Sequence, residues 1–297
     1  MSAVAQSPEK PRNQGEIMQV TKLQDHIGAE VTGIDLRQPV DAETRQRLYD
    51  ALVDNVALVI RDQNFEPAEF QAAVEMFGEL MEDQNRLYLV DGLPMISVLS
   101  NRHVDSEGKQ AKVATNAKWH TDHTNQELPP KFTVLYALEL PDSGGGTSVA
   151  NMNAAFEALP KELRDRIAPM QTANTLISST RLKSGNPDVV REQLEATAPP
   201  TMQPLVRTHP ERGTKAIWFH KGKIEKIIGM EPQETQDFLA DLLIEALKPE
   251  FIYLHEWKKG DMLMVDNRTA MHKAGFDYDH SQHRHLLRML VRGDRPY

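Results

Sequence analysis

The 297-residue chain contains no cysteine. That excludes disulfides, thiolate zinc and iron–sulfur sites, haem-thiolate chemistry and a cysteine nucleophile. Any metal must be held by imidazole, carboxylate or backbone oxygen, and 11 His are present to do so. Positive charge is outweighed, with 34 Lys and Arg against 43 Asp and Glu and a net charge of −9. A general nucleic-acid binder needs a basic face, so no nucleic-acid partner is expected. At whole-chain scale the same balance disfavours anionic ligands, although clustered cations can build a local anion site in an acidic protein. No run approaches the roughly 20 apolar residues of a membrane span, so no membrane partner is expected. The opening stretch MSAVAQSPEKPRNQGE lacks the apolar core of a signal peptide, which makes the cytoplasm the expected location.

What is present suits one large domain. Residues 1–16 are polar, with Pro8, Pro11 and Gly15, and read as a disordered arm. Residues 17–297 show no internal repeat and no further linker, so they read as a single domain. Strands are expected over Gly28–Leu36, Val56–Ile60, Ile96–Ser100, Phe132–Glu139, Thr147–Asn151, Pro204–Pro210 and Lys215–His220. IYLHEW, MLMVDN and HLLRMLVRG add strands in the C-terminal third, and Gly144-Gly145-Gly146 is a tight turn. Helices are expected after Asp41, with Val40 as its staple, from Pro67 to Gly78, from Asn153 to about Ile167, and from Pro232. About 178–200, polarity is mixed and periodicity weak, which suggests partial helix or a mobile lid. Many short strands with few helices predict a mainly β fold with flanking helices, a sandwich or jelly roll.

The first chemical signal is WHTDHT. In an extended segment His120 and Asp122, two apart, point the same way and can meet one cation. A second His would complete two His and one carboxylate, the facial triad of non-haem Fe(II) oxygenases, and His272 in DNRTAMHKA is the best placed. His123 stands three from His120, a helical spacing. The run His280, His283, His285 could chelate, but reads first as a solvated loop entering a strand. His26, His103, His209, His220 and His255 stand alone and read as structural or exposed. Near the C-terminus, Arg284 and Arg288 share strand parity and face one side. An inward arginine needs an anion, and a carboxylate held by both nitrogens would serve. On an edge strand the same pair is simply solvated.

Together these pieces resemble the taurine dioxygenase and aryloxyacetate dioxygenase (TauD/TfdA) family of Fe(II)- and 2-oxoglutarate-dependent oxygenases. The resemblance spans about Val31 to Tyr297. It rests on ALVIRDQ, FGEL, WHTD, PDSGGGT, FEALP, PLVRTHP, GDMLMVDNR and RHLLRMLVRGDRP, in matching order and spacing. It implies a double-stranded β-helix, the cupin-like jelly roll, with extra helices. It implies Fe(II) on His120, Asp122 and His272, through which those residues are catalytic, with 2-oxoglutarate and O2 as cosubstrates. Arg288 matches the arginine that grips the distal carboxylate of 2-oxoglutarate, Arg284 a second arginine nearby, and Thr147 a threonine that assists. Asn116 matches a residue close to substrate, Asn267 and Arg268 support the ligand loop, and His209 is structural.

Some positions depart from the family. Val265 stands where Trp often precedes D-N-R, which removes an aromatic wall. Asp83 and Arg86 occupy the region that recognises sulfonate in taurine dioxygenase, while Lys223 and Thr180 replace aromatics. Arg86, Arg181, Lys183 and Lys223 are candidate partners for an acidic substrate group. The expected activity is hydroxylation of a small, acidic organic molecule with release of succinate and CO2. If the hydroxylated carbon bears a heteroatom, that bond then cleaves. Desaturation or cyclisation, a non-catalytic jelly-roll binding protein, and a zinc hydrolase using His120 and His123 are the alternatives. The family also implies association into dimers or tetramers.

Overall fold

A computed structural model describes residues 18–84, 88–103, 118–176, 178 and 199–297. The expected arm at 1–16 and nearly all of the expected lid lie outside these residues. The described chain is a two-sheet β fold with helices on its outer faces. The larger sheet runs in the order β1 (Gln19–Lys22), β2 (Ala29–Thr32), β3 (Ala57–Ile60), β15 (Met262–Asp266), β7 (Pro130–Glu139), β17 (His285–Arg292), β6 (Leu93–Ser100) and β5 (Leu89–Val90), with β4 (Leu80–Met81) also pairing β17. The facing sheet has the order β14 (Ile252–His255), β8 (Thr147–Asn151), β16 (Ala270–Ala274). Isolated bridges from His120 to His272 and from His120 to His220 extend it. Smaller ladders are β10 (Thr201–Pro204), β9 (Gln171–Asn174) and β13 (Ile224–Ile227), and β11 (Val206–Thr208) with β12 (Lys215–Ile217).

Alternation along each strand sorts the core into layers. On the larger sheet Leu58, Ile60, Phe132, Val134, Tyr136, Met262, Met264, Leu287, Met289 and Val291 face outward. They pack against α1 (Ala42–Asn55) and α2 (Pro67–Glu75). Their strand neighbours Ala57, Val59, Leu135, Leu263 and Val265 face inward and meet Val149, Tyr253 and Ala270 of the facing sheet. Behind that sheet, Ala150 and Met271 pack with α3 (Met152–Glu157), α4 (Lys161–Ile167) and α5 (Pro232–Ala246). The layers place the site. Ala270 and His272 share inward parity on β16, as Thr147 and Val149 do on β8, while Arg284 and Arg288 take the parity opposite to the outward Leu287 and Met289.

Several boundaries differ from expectation. The helix expected over Asn153–Ile167 is two helices, α3 and α4, because Pro160 has no amide hydrogen to continue the first. The strand expected over Gly28–Leu36 is only Ala29–Thr32, since Gly33 takes φ 74 and turns the chain. Val56 is the C-cap of α1 with φ 67, so β3 begins at Ala57. PLVRTHP divides, Pro204 ending β10 and Val206–Thr208 forming β11. KAIWFH is strand only to Ile217, and IYLHEW only to His255. The helical start signals hold. The Asp41 side chain accepts from Thr44 N at 2.7 Å, and Pro67 opens α2 behind a Glu66–Glu69 capping box.

Candidate active site

Two backbone bonds build the first half of the site. His120 N donates to His272 O at 3.1 Å, and His272 N donates to His120 O at 2.9 Å. This narrow antiparallel bridge sets the rings side by side, with centroids 4.4 Å apart. Asp122, two residues on, closes the group. His120 Nε2 lies 3.5 Å from Asp122 Oδ1, and His272 Nε2 lies 3.7 Å from Asp122 Oδ2. These separations are too long for good hydrogen bonds and suit donors spread around a common cation. One ligand atom from each residue lies within 4.8 Å of the others, and all three residues are buried.

Protonation suits the same role. Burial, reinforced by the neighbouring His120, pushes the His272 imidazole down to about 3, so its ring is neutral. Burial would raise the Asp122 carboxyl, but the adjoining His272 and His120 rings, which offer it N–H groups, and the Arg288 guanidinium outweigh burial and hold it well below the carboxylate range. Neutral imidazoles and an ionised carboxylate are the forms a metal takes as ligands. The Lys118 carbonyl, 2.9 Å from His120 Nδ1, holds that ring in the tautomer whose Nε2 lone pair faces the centre.

A second ring of contacts steadies Asp122. The Thr133 hydroxyl donates to its Oδ2 at 2.7 Å, and Asn267 Nδ2 donates to Thr133 Oγ1 at 2.8 Å. Asn267 belongs to the D-N-R turn, which is locked from behind. Arg268 grips Asp266 through Nε at 2.9 Å and Nη2 at 2.7 Å, and its third nitrogen meets Glu211. His209 Nε2 stands 3.2 Å from Asp266 Oδ2, a structural role as expected. Thr133 carried no signal in the sequence, where it reads as one more β-former inside FTVLYALE. His220 was likewise passed over, although it bridges His120 on the side away from His272.

The two arginines have different company. Arg288 is bound to Asp83, whose Oδ2 also accepts from Ser97 Oγ at 2.7 Å. Burial would lower the Arg288 guanidinium, but Asp83 and Asp122 raise it overall. Arg284 Nε donates to the Gly145 carbonyl at 2.9 Å, two residues before Thr147. Burial lowers Arg284, and no described carboxylate lies within ion-pair distance of it. Its seat needs glycine. Gly145 has φ +67, and a Cβ there would come within 3.2 Å of Arg284 Cδ and Nε. Trp257 Nε1 donates to Thr147 Oγ1 at 3.1 Å, which leaves the threonine hydroxyl proton for another acceptor.

Other expected residues divide. Lys223 Nζ donates to Gln84 Oε1 at 2.9 Å and to Asn125 Oδ1 at 2.8 Å. Asn116, Arg86, Thr180, Arg181 and Lys183 lie outside the described residues. His123 turns its Nε2 to Asp83, 3.4 Å away, and does not join the His120 group. His283 and His285 are not simply a solvated loop. With Glu139 they form a separate cluster, and His280 instead lies against Tyr278.

The comparison with known proteins agrees with this geometry. Residues 19–290 match the family described as "Taurine catabolism dioxygenase TauD, TfdA family". The chain belongs to the TauD/TfdA family. It is therefore an Fe(II)/2-oxoglutarate-dependent dioxygenase that uses O2. It is 30% identical to an alkylsulfatase of Acinetobacter baylyi, covering 95% of this chain and 87% of that protein. It is also 30% identical to the alpha-ketoglutarate-dependent 2,4-dichlorophenoxyacetate dioxygenase of Cupriavidus pinatubonensis, covering 90% of this chain and 95% of that protein. The crystal structure of AAD-2 with Mn(II) and N-oxalylglycine superposes with a TM-score of 0.77 at 29% identity, covering 94% of this chain and 99% of that one. The jelly roll expected of TauD/TfdA dioxygenases is the fold found here. No helix among the described residues is long and apolar enough to cross a membrane.

Proposed function

We propose that His120, Asp122 and His272 hold the iron of this dioxygenase, and that it hydroxylates a C–H bond of a small organic substrate bearing an acidic group. The observation that carries the reading is the convergence of two imidazoles and one carboxylate within range of Arg288, on a segment whose Arg284, half-buried, has no described carboxylate partner. Bound iron supplies the O2 chemistry that couples decarboxylation of 2-oxoglutarate to substrate oxidation. This chain's residues do the rest. Thr133 and Asn267 hold the Asp122 carboxylate in its ligating orientation. Arg284 binds the distal carboxylate of 2-oxoglutarate, with the Thr147 hydroxyl donating to the same group. This assigns the distal carboxylate to Arg284 rather than to Arg288, because Asp83 already answers the charge of Arg288. A fixed distal end orients the reacting end, and the near-attack geometry follows from that anchoring.

The acidic substrate group rests on the relatives, whose names point to alkyl sulfates and 2,4-dichlorophenoxyacetate. Lys223 is the proposed cation for it. Where the hydroxylated carbon bears oxygen or sulfur, the product collapses by cleavage of that bond. The test begins with anaerobic protein, Fe(II) and 2-oxoglutarate. A visible charge-transfer band is expected, and it should vanish in His272→Ala. Folded parent protein that gives no band refutes the assignment. Succinate release measured against sulfonates, sulfate esters, aryloxyalkanoates and amino-acid derivatives then identifies the substrate class.

A further inference from the structure

The strand that carries Arg284 and Arg288 has a second face. His285 lies in register with Ser100 on β6 and with Glu139 on β7. Residues directly opposite across neighbouring strands share a face and stand about 5 Å apart. His283 lies two residues earlier, in the segment that leads into β17. His285 and Ser100 share the outward side of the sheet, and a register irregularity at His285 in the β17–β7 ladder sets Glu139 opposite it.

The contacts match. His283 Nδ1 lies 2.8 Å from Glu139 Oε2, and its Nε2 lies 3.0 Å from Ser100 Oγ. The rings of His283 and His285 have centroids 5.2 Å apart. One donor atom from each of Glu139, His283 and His285 lies within 4.8 Å of the other two. His285 Nε2 is shut off from solvent and has no hydrogen-bond partner among the described residues. Burial, with His283 and His103 nearby, lowers the His285 imidazole. The hydrogen bond from His283 keeps the Glu139 carboxylate ionised. Two imidazoles and a carboxylate with donor atoms this close, one of the rings carrying an orphaned nitrogen, make a donor set that a cation would complete.

We infer that Glu139, His283 and His285 form a second divalent-cation site, distinct from the His120, Asp122 and His272 centre. Two nitrogens and one oxygen select a borderline cation of the zinc and nickel kind over magnesium or calcium. A bound cation ties β7 to the start of β17, next to Arg284, which stabilises the fold by mass action.

The experiment is equilibrium dialysis of metal-stripped full-length protein against Zn2+. Two equivalents are expected in the parent protein, and one in His272→Ala. Glu139→Gln changes an exposed side chain and leaves the fold intact. It should weaken one equivalent at least tenfold, and His285→Ala should remove that equivalent, with the other unchanged in both. Circular dichroism and melting confirm that each variant is folded. A parent protein that binds a single equivalent overturns the proposal. So does a second equivalent that survives Glu139→Gln and His285→Ala together.

Discussion

Asp83 is where substitution gives the most informative result. It is 5% exposed and touches Arg288, Ser97 and His123. In Asp83→Asn the Ser97 contact survives in neutral form, while Arg288 keeps a charge it cannot shed. Breaking a buried ion pair from one side costs roughly 3–5 kcal/mol. Asp122 still faces Arg288, so the lower end applies, about 3 kcal/mol. For a domain of this size roughly 2 °C is lost per kcal/mol, which predicts a fall in Tm of about 6 °C. The assay is thermal melting of metal-free protein, read alongside the double variant Asp83→Asn/Arg288→Met. Removing both charges should recover most of the loss, because a missing pair costs far less than a widowed charge. Added sulfate should stabilise Asp83→Asn more than the parent, by occupying the guanidinium that Asp83 vacates. If Asp83→Asn melts within 1 °C of the parent, or the double variant melts below the single one, Asp83 is not the counter-charge of Arg288.

Three further outcomes are expected. Arg284→Met removes a charge-assisted carboxylate bond worth about 1.5–3 kcal/mol, so the 2-oxoglutarate concentration for half-maximal succinate release should rise about 10- to 100-fold; an unchanged requirement removes Arg284 from the role. Thr133→Val deletes the hydroxyl that orients Asp122 and should weaken Fe(II) binding by roughly 10- to 100-fold in a chelator competition, with little change in 2-oxoglutarate affinity at saturating iron. Burial would raise the carboxyls of Asp83 and Asp266, but Arg288 and Arg268 hold both below their usual range. The stability they contribute is therefore full above about pH 4 and is lost as pH falls through and below that value. Denaturant melts at stepped pH should show that slope, and Asp83→Asn should flatten part of it.

Much of the site was legible because strand parity is a local property. H-x-D placed His120 and Asp122 together, and the even spacing of Arg284 and Arg288 put both on one face. What escaped depends on contacts between distant strands. Thr133 looks like any β-branched residue in an apolar strand until Asp122 is brought to it. Asp83 gives no hint of Arg288, 205 positions away. The Glu139, His283 and His285 cluster exists only in the register of β17 against β7, which the sequence does not state. That Asp83 pairs with Arg288 and not with Arg284 was invisible for the same reason. The split at Pro160, by contrast, was readable, since proline in a helical run marks a break.

β17 carries chemistry on one side and the packing of α1 and α2 on the other. Shifting it by a single position would exchange Arg284 and Arg288 for His285 and Met289 on the inner surface. Any insertion or deletion between Asp277 and His283 must therefore be absorbed in the loop before the strand starts. That loop is itself pinned, through Asp277 to Gly145 and through Gln282 to Asn101 and Asp142, so the phase of the strand is set from both ends.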